Sequence, residues 1–183
     1  MVAYSKGMAL GTEAPAFSLP GVDGKSYTLD SFADAPVLVV VFTCNHCPYA
    51  KAVEDRLVQL QRDYLDRGVR LVAINPNDAR AYPDDSFESM KVRAASKQFN
   101  FPYLRDEDQT VARAYDAACT PDIFVFDGSR KLLYNGRLDD NWQDPSKVTR
   151  NDLRTVIDAA LAGRSPNIDA VPSMGCSIKW KAA

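Results

Sequence analysis

Two cysteines three positions apart are the residues of this chain best suited to chemistry. Cys44 and Cys47 lie in the segment FTCNHCP at positions 42–48. A Cys-x-x-Cys pair either exchanges disulfides or supplies half of a zinc site. A closed zinc site needs four ligands, and the sequence has no second Cys-x-x-Cys and only one histidine. The spacing therefore favours redox use of the pair, with neither a metal nor another cofactor expected.

The predicted elements around the pair explain how it could be activated. A β-branched run at 36–42 predicts a strand buried on both faces, and apolar residues at helical spacing from Val53 to Tyr64 predict a helix after it. A thiol at a helix N-terminus meets unpaired N–H groups, which lower its pKa from about 8.5 to about 3.5–7.5. We expect Cys44 to be the exposed attacking thiol and Cys47, deeper in the turn, to resolve the mixed disulfide.

Two neighbours of the pair are candidate tuning residues. His46 is the only histidine, and in its protonated form it would stabilise a thiolate on Cys44. The alternative is a partly exposed helix residue without a redox role. Pro48 fixes φ early in the helix, where a missing N–H costs least. That residue either shapes the site or only starts the helix.

The composition is that of an ordinary globular protein. The chain has 183 residues, 46% of them hydrophobic and 25% charged, and a net charge of −2. These values predict a single domain over residues 1–183 and give no electrostatic reason to expect nucleic acid or a membrane as a partner. The first ten residues contain no apolar run of signal-peptide length, which predicts a cytoplasmic location.

Strand signals recur along the chain. Asp23-Gly24 and Asp127-Gly128 each separate two short apolar runs, which predicts two hairpins. A second buried strand is predicted at 69–74, after the stop signal of Gly68. With the helices between them, these elements predict one α/β domain.

Helix signals fill the gaps between the strands. Asp85 and Glu88 resemble a capping box that opens a second helix, and an amphipathic stripe at 153–161 predicts a last one. A short helix is predicted near 106–115. From about residue 164 onward the sequence has no clear period, so we expect an irregular C-terminal tail.

Thr120-Pro121 is the second informative site in the sequence. A proline just before an apolar strand is either a cis residue in a purposeful turn or a trans residue that starts the strand. Cys119, immediately before it, is either a third redox thiol or a small buried hydrophobic residue. Cys176 lies in the tail, whose segment 175–180 either folds back towards the dithiol or is held only by packing of Ile178 and Trp180, which is the simpler account.

Several motifs together resemble the AhpC/TSA and TlpA/ResA-like branch of the thioredoxin superfamily. Residues 11–19 (GTEAPAFSL) and 23–29 (DGKSYTL) resemble the opening hairpin of that branch. The Cys44–Cys47 pair stands where its Cys-x-x-Cys stands, and Thr120-Pro121 before the strand at 122–127 resembles its cis-proline loop. The resemblance implies a thioredoxin-like α/β fold: a central mixed β-sheet flanked by helices, with an N-terminal hairpin extension.

The resemblance also implies an activity and partners. It implies a thiol–disulfide oxidoreductase that exchanges with protein or small-molecule thiols and disulfides and with an electron donor or acceptor. Thr120 and Pro121 would shape the substrate groove, and Cys119 would lie beside the dithiol. The sequence departs from the family at two points. Thr43 replaces the usual tryptophan, and positions 37–42 lack the buried acid, which leaves the proton acceptor for Cys47 unassigned.

Two other functions remain open. A peroxiredoxin-like peroxide reductase shares the fold, but its Thr/Ser lies three residues before the reactive cysteine, whereas Thr43 lies four before Cys47. A non-enzymatic copper or zinc site would use Cys44, Cys47 and His46, because soft thiolates select such ions.

Overall fold

The computed structural model describes residues 1–182. The strands are β1 (Val2–Tyr4), β2 (Ser18–Pro20), β3 (Ser26–Thr28), β4 (Val37–Phe42), β5 (Arg70–Asn75), β6 (Tyr103–Arg105), β7 (Cys119–Thr120), β8 (Asp122–Asp127), β9 (Leu132–Asn135) and β10 (Met174–Ser177). The helices are α1 (Pro48–Tyr64), α2 (Phe87–Ser96), α3 (Thr110–Ala114) and α4 (Asp152–Leu161). Both predicted hairpins are confirmed, as β2–β3 and β8–β9.

A five-stranded mixed sheet with the order β6-β5-β4-β8-β9 forms the centre of the fold. Strands β4, β5 and β6 run parallel, whereas β8 and β9 are antiparallel to their neighbours. The side chains of β4 alternate between two apolar layers. Val39 and Val41 pack in the layer formed with α1, α2 and α4, and Val40 and Phe42 pack in the layer on the opposite face. The predicted α/β fold with a mixed sheet is confirmed.

The helix predictions hold with one correction at α2. The first turn of α2 is capped by Ser86, whose Oγ accepts a hydrogen bond from the Ser89 backbone N–H at 3.2 Å. The capping box predicted for Asp85 and Glu88 is therefore wrong. Asp85 is the last residue of a short 3-10 turn before α2. Its side chain is fully buried and does not cap that helix.

The predicted irregular tail is correct for 164–173 but wrong for β10. This strand lies between β1 and β7 in a separate antiparallel sheet, in which Cys176 pairs with Val2 on one side and with Thr120 on the other. The sequence hides β10 because it is only four residues long and is held by partners distant in the chain. Its glycine is required, since a Cβ at Gly175 would lie 2.0 Å from the Thr120 carbonyl oxygen.

Two predictions about the chain as a whole stay predictions: the single domain over 1–183 and the cytoplasmic location. Within residues 1–182, none of the helices has both the length and the apolar character that a membrane span requires.

Candidate redox site

Cys44 and Cys47 lie in the turn between β4 and α1. The turn leaves the sheet at Thr43, whose N–H still donates to the Ile74 carbonyl at 2.9 Å. Cys47 is the residue immediately before the first turn of α1, and Pro48 is the first residue of that helix. The predicted placement at a strand-to-helix junction is confirmed. The predicted exposure of Cys44 is wrong, because Cys44 is 1% exposed and Cys47 is 0% exposed.

Thr120 contacts both sulfurs of the pair. Its Oγ1 lies 3.2 Å from Cys44 Sγ, and its carbonyl oxygen lies 3.1 Å from Cys47 Sγ. The Thr120–Pro121 peptide bond is cis. Thr120 is itself fully buried, whereas Pro121 lines a neighbouring cavity of about 220 Å³ together with Trp142. Of the two predicted groove residues, the structure thus brings Thr120 to the dithiol and places Pro121 in the wall of the cavity.

The two thiols have opposite electrostatic environments. A hydrogen bond from the Cys44 thiol is the main reason that the pKa of Cys47 is lowered to about 4, and the thiol of Cys176 and nearby backbone N–H groups act in the same direction. The hydrogen bond with Cys47, then burial and the carboxylate of Asp85, raise the pKa of Cys44. The Thr120 carbonyl opposes ionisation of Cys47, but several donors face it. These contacts favour a negative charge on Cys47 over one on Cys44 when the pair ionises.

A buried carboxylate that sequence reasoning missed stands behind Cys44. Asp85 is 0% exposed and accepts hydrogen bonds from the Asn45 backbone N–H at 2.6 Å and from the side-chain amides of Asn75 and Asn77 at 3.2 and 2.9 Å. These donors replace the water that a carboxylate normally binds. The signal in the sequence was Asn75-Pro-Asn77 at the carboxyl end of β5, which runs parallel to β4 and so ends at the same edge.

His46 pairs with this carboxylate. Its Nδ1 lies 2.5 Å from Asp85 Oδ2, and its ring stacks on Tyr82 with centroids 5.1 Å apart. One ring nitrogen of His46, Cys44 Sγ and an oxygen of Asp85 all lie within 4.8 Å of one another. The predicted proximity of His46 to Cys44 is confirmed. The three groups close enough to hold a metal are therefore Cys44, His46 and Asp85, whereas the set suggested by the sequence had Cys47 in place of Asp85.

Cys119 faces away from this chemistry. Its Sγ lies 3.5 Å from the Pro121 carbonyl oxygen and 3.7 Å from that of Ser173, and the residue is fully buried. Burial, followed by the charge of Asp122, raises the pKa of the Cys119 thiol. These contacts favour the buried-hydrophobe interpretation of Cys119 over that of a third redox thiol.

The sequence of the chain matches a known protein family. The profile of the AhpC/TSA family matches residues 10–135. The chain belongs to the AhpC/TSA family. Within it, this chain is 25% identical over 123 residues to the thiol-disulfide oxidoreductase ResA of Bacillus subtilis, a match that covers 67% of this chain and 64% of ResA. The chain therefore spans slightly less than two thirds of that relative.

Solved structures extend the likeness of this AhpC/TSA member to its whole length. An uncharacterized conserved protein from Geobacillus kaustophilus is 46% identical with a TM-score of 0.95, covering 100% of this chain and 98% of that one. A hypothetical protein from Sinorhizobium meliloti is 42% identical with a TM-score of 0.94, covering 98% and 99%. A putative thiol:disulfide interchange protein DsbE from Chlorobium tepidum is 24% identical, covers 85% and 99%, and shares the fold with a TM-score of 0.69. The chain thus has the thioredoxin-like fold of the TlpA/ResA-like branch.

The buried acid of this AhpC/TSA chain does not come from the strand before the dithiol. Positions 37–42 carry none, as the sequence indicated, and Asp85 reaches the site from the turn before α2. Pro48 is exposed at the first position of α1, where it matches the simple helix-start interpretation.

Proposed function

We propose that this chain is a thiol–disulfide oxidoreductase in which Cys44 and Cys47 cycle between a dithiol and a disulfide. One observation carries the proposal: the two thiols of one turn meet at the start of α1, where Thr120 contacts both sulfurs, at 3.2 Å from Cys44 Sγ and 3.1 Å from Cys47 Sγ. The pKa values of this pair are shifted in opposite directions, with Cys47 lowered and Cys44 raised. Exchange needs such a pair, because one sulfur must attack as a thiolate while the other waits as a thiol until the mixed disulfide has formed.

In the first step the Cys47 thiolate attacks one sulfur of a substrate disulfide. A Cys47–substrate bond forms, the substrate S–S bond breaks, and the second substrate sulfur leaves as a thiolate that takes up a proton from water. These roles reverse the order expected from the sequence, in which Cys44 attacks first. They follow from the lowered pKa of Cys47, to which the neighbouring Cys44 thiol contributes most.

In the second step Cys44 attacks the Cys47 sulfur and releases the substrate as a thiol. Cys44 must first lose its proton, and the neighbouring pair of His46 and Asp85 is the acceptor that we assign, since all three groups lie within 4.8 Å of one another. Two electrons pass from the dithiol to the substrate, and a thiol reductant returns them. With an oxidised chain and a dithiol substrate, the same steps run in reverse.

The substrate class follows from the surroundings of the pair. The cavity beside the site is lined by Pro121, Trp142 and Met174 and has a mainly apolar wall, with Arg137 and Asp139 at its polar part. Such a wall accepts the side chains that flank a cysteine in a peptide. We therefore propose protein disulfides as substrates. Cys47 reaches them when β10, which covers it, moves aside.

Catalytic reduction of an insulin disulfide by dithiothreitol tests this function. Cys47→Ser should abolish turnover, and Cys44→Ser should reduce it by at least about tenfold, because resolution then depends on a slower thiol. Cys119→Ser is the matched control, since Cys119 is equally buried but bonded elsewhere, and it should retain the wild-type rate. Wild-type turnover by the Cys47→Ser protein would refute the proposal.

A further inference from the structure

Strand β10 holds Cys176 in a fixed position next to the dithiol. In the antiparallel ladder Cys176 lies opposite Thr120, and directly opposed residues place their side chains on the same face. Thr120 directs its hydroxyl to Cys44 on that face. Cys119, the preceding residue of β7, points to the other face because side chains alternate along a strand. The register therefore selects Cys176, not Cys119, as the cysteine that faces the pair.

The contact of Cys176 is with one sulfur in particular. Cys176 packs against the small buried cluster of Cys44, Cys47 and Ala50. Within that cluster Cys176 acts on Cys47, because its thiol and its backbone N–H both lower the pKa of Cys47. Cys47 therefore has two cysteines beside it, Cys44 in the same turn and Cys176 on the neighbouring strand.

The four thiols also differ in access to solvent. Cys44, Cys47 and Cys119 are buried, whereas Cys176 is partly exposed. The thiol of Cys176 is thus the one through which an external thiol or disulfide can reach the buried pair without prior unfolding of the turn.

We propose that Cys47 is shared by two alternative disulfides, Cys44–Cys47 and Cys47–Cys176, and that Cys176 is the third redox thiol of the site. The inference rests on the proposed function, since a substrate disulfide supplies the oxidation that forms the first of these bonds.

The exchange is balanced within the chain. Cys176, which is partly exposed, loses its proton to water and attacks Cys47 Sγ of the Cys44–Cys47 disulfide. The Cys47–Cys176 bond forms, the Cys44–Cys47 bond breaks, and Cys44 leaves as a thiolate that takes up a proton at the His46–Asp85 pair. Cys176 is oxidised, Cys44 is reduced, and no electrons enter or leave. The disulfide then lies at the partly exposed strand, where a reductant reaches it.

Peptide mapping separates the two disulfides because trypsin places the thiols on different fragments. Cys44 and Cys47 lie on residues 26–51, Cys119 on 114–130 and Cys176 on 165–179. Full-length protein is reduced, oxidised with limiting diamide, alkylated and digested without reductant. We expect the wild type to contain a fragment in which 26–51 is joined to 165–179, in addition to the closed 26–51 loop.

Single variants identify the sulfur involved. In Cys44→Ser, the joined 26–51/165–179 fragment should become the main oxidised species, at least about tenfold more abundant than a 26–51/114–130 fragment, since the adjacent thiol has the higher effective concentration. In Cys47→Ser the joined fragment should be lost, because Cys176 faces Cys47 and not Cys44. Non-reducing electrophoresis should show a monomer in each case.

Three results would overturn the inference: no joined fragment in Cys44→Ser, an equal yield with the Cys119 fragment, or a link present only in dimers. Failure of the proposed function looks different, since insulin reduction and the closed 26–51 loop would then both be absent from the wild type. Cys176→Ser provides a further readout, because it should remove the joined fragment while the 26–51 loop still forms.

Discussion

Asp85 Oδ2, which belongs to a fully buried side chain, lies 2.5 Å from Nδ1 of the partly exposed His46. The carboxylate is held by the amides of Asn75 and Asn77 and by the backbone of Asn45, so its charge is stabilised without being cancelled. This charge is one of the causes that raise the pKa of Cys44. Asp85 therefore contributes to deciding which of the two thiols carries the negative charge.

Asp85→Asn should make the Cys44–Cys47 disulfide more oxidising. The carboxylate of Asp85 opposes a negative charge on Cys44. Its neutralisation lets Cys44 share the negative charge of the reduced pair with Cys47, which favours the reduced form. We expect the redox potential to rise by about 30 mV or more, which corresponds to about a tenfold shift of the equilibrium with glutathione. Fluorescence or alkylation assays in glutathione buffers measure this shift.

The control for this prediction is the neighbouring acid. Asp84→Asn removes one charge from an exposed side chain, where solvent screens it, and should leave the potential close to that of the wild type. If Asp85→Asn and Asp84→Asn change the redox potential by the same amount, then net charge, rather than the buried carboxylate, sets the potential.

The reduced protein should carry a thiolate on Cys47 far into the acidic range. The folded pKa of about 4 lies below the value of about 8.5 for an unfolded cysteine, so the stabilisation is fully present above about pH 8.5 and is lost as the pH falls to about 4. The difference in unfolding free energy between reduced wild type and Cys47→Ser should therefore shrink as the pH falls from about 7 to about 4.

Urea unfolding at several pH values measures this difference, and the ultraviolet absorbance of the thiolate provides an independent titration. Cys119→Ser should not alter the titration near pH 4, because burial raises the pKa of Cys119. A thiolate signal in Cys47→Ser that titrates in the same acidic range would assign the charge to Cys44 and return the attacking role to it.

The sequence predicted those site residues that can be recognised from the residues adjacent to them in the chain. Cys44 and Cys47 are identified by their spacing after a buried strand, and Thr120-Pro121 by its place before the next one. The role of Asp85 could not be predicted, because a Pro-Asp-Asp-Ser segment before a helix is equally typical of capping. Its burial depends on amides from β5 and on the turn that carries Asn45, contacts that exist only in the folded chain.

The burial of the dithiol and the position of Cys176 beside it could not be predicted from the sequence for a related reason. An isolated strand-to-helix turn leaves its first cysteine open to solvent, whereas here other segments cover it. One of them is β10, which pairs with β7 across more than fifty residues of intervening sequence. Pairing of that kind leaves no periodic signal in a four-residue segment that contains a glycine.

Hydrogen peroxide should oxidise Cys47 no faster than an ordinary accessible thiolate. The lowered pKa of Cys47 supplies the nucleophile, but its sulfur is fully buried and Thr43 is displaced by one position from the peroxiredoxin spacing. Stopped-flow oxidation of reduced wild type, with Cys47→Ser as the control, measures the rate. A Cys47-dependent rate far above that of free cysteine would favour peroxide reduction as the activity.

Gly175→Ala should detach β10 and uncover Cys47. The new Cβ would meet the Thr120 carbonyl oxygen at 2.0 Å and its carbon at 2.5 Å, and backbone cannot yield as a flexible side chain does. We expect a loss of about 1–3 kcal/mol of stability and alkylation of Cys47 at least about tenfold faster in the native protein. Gly128→Ala is the matched control, since its Cβ would meet the Pro36 carbonyl oxygen at an ordinary 3.6 Å. Unchanged alkylation in Gly175→Ala would mean that another segment protects Cys47.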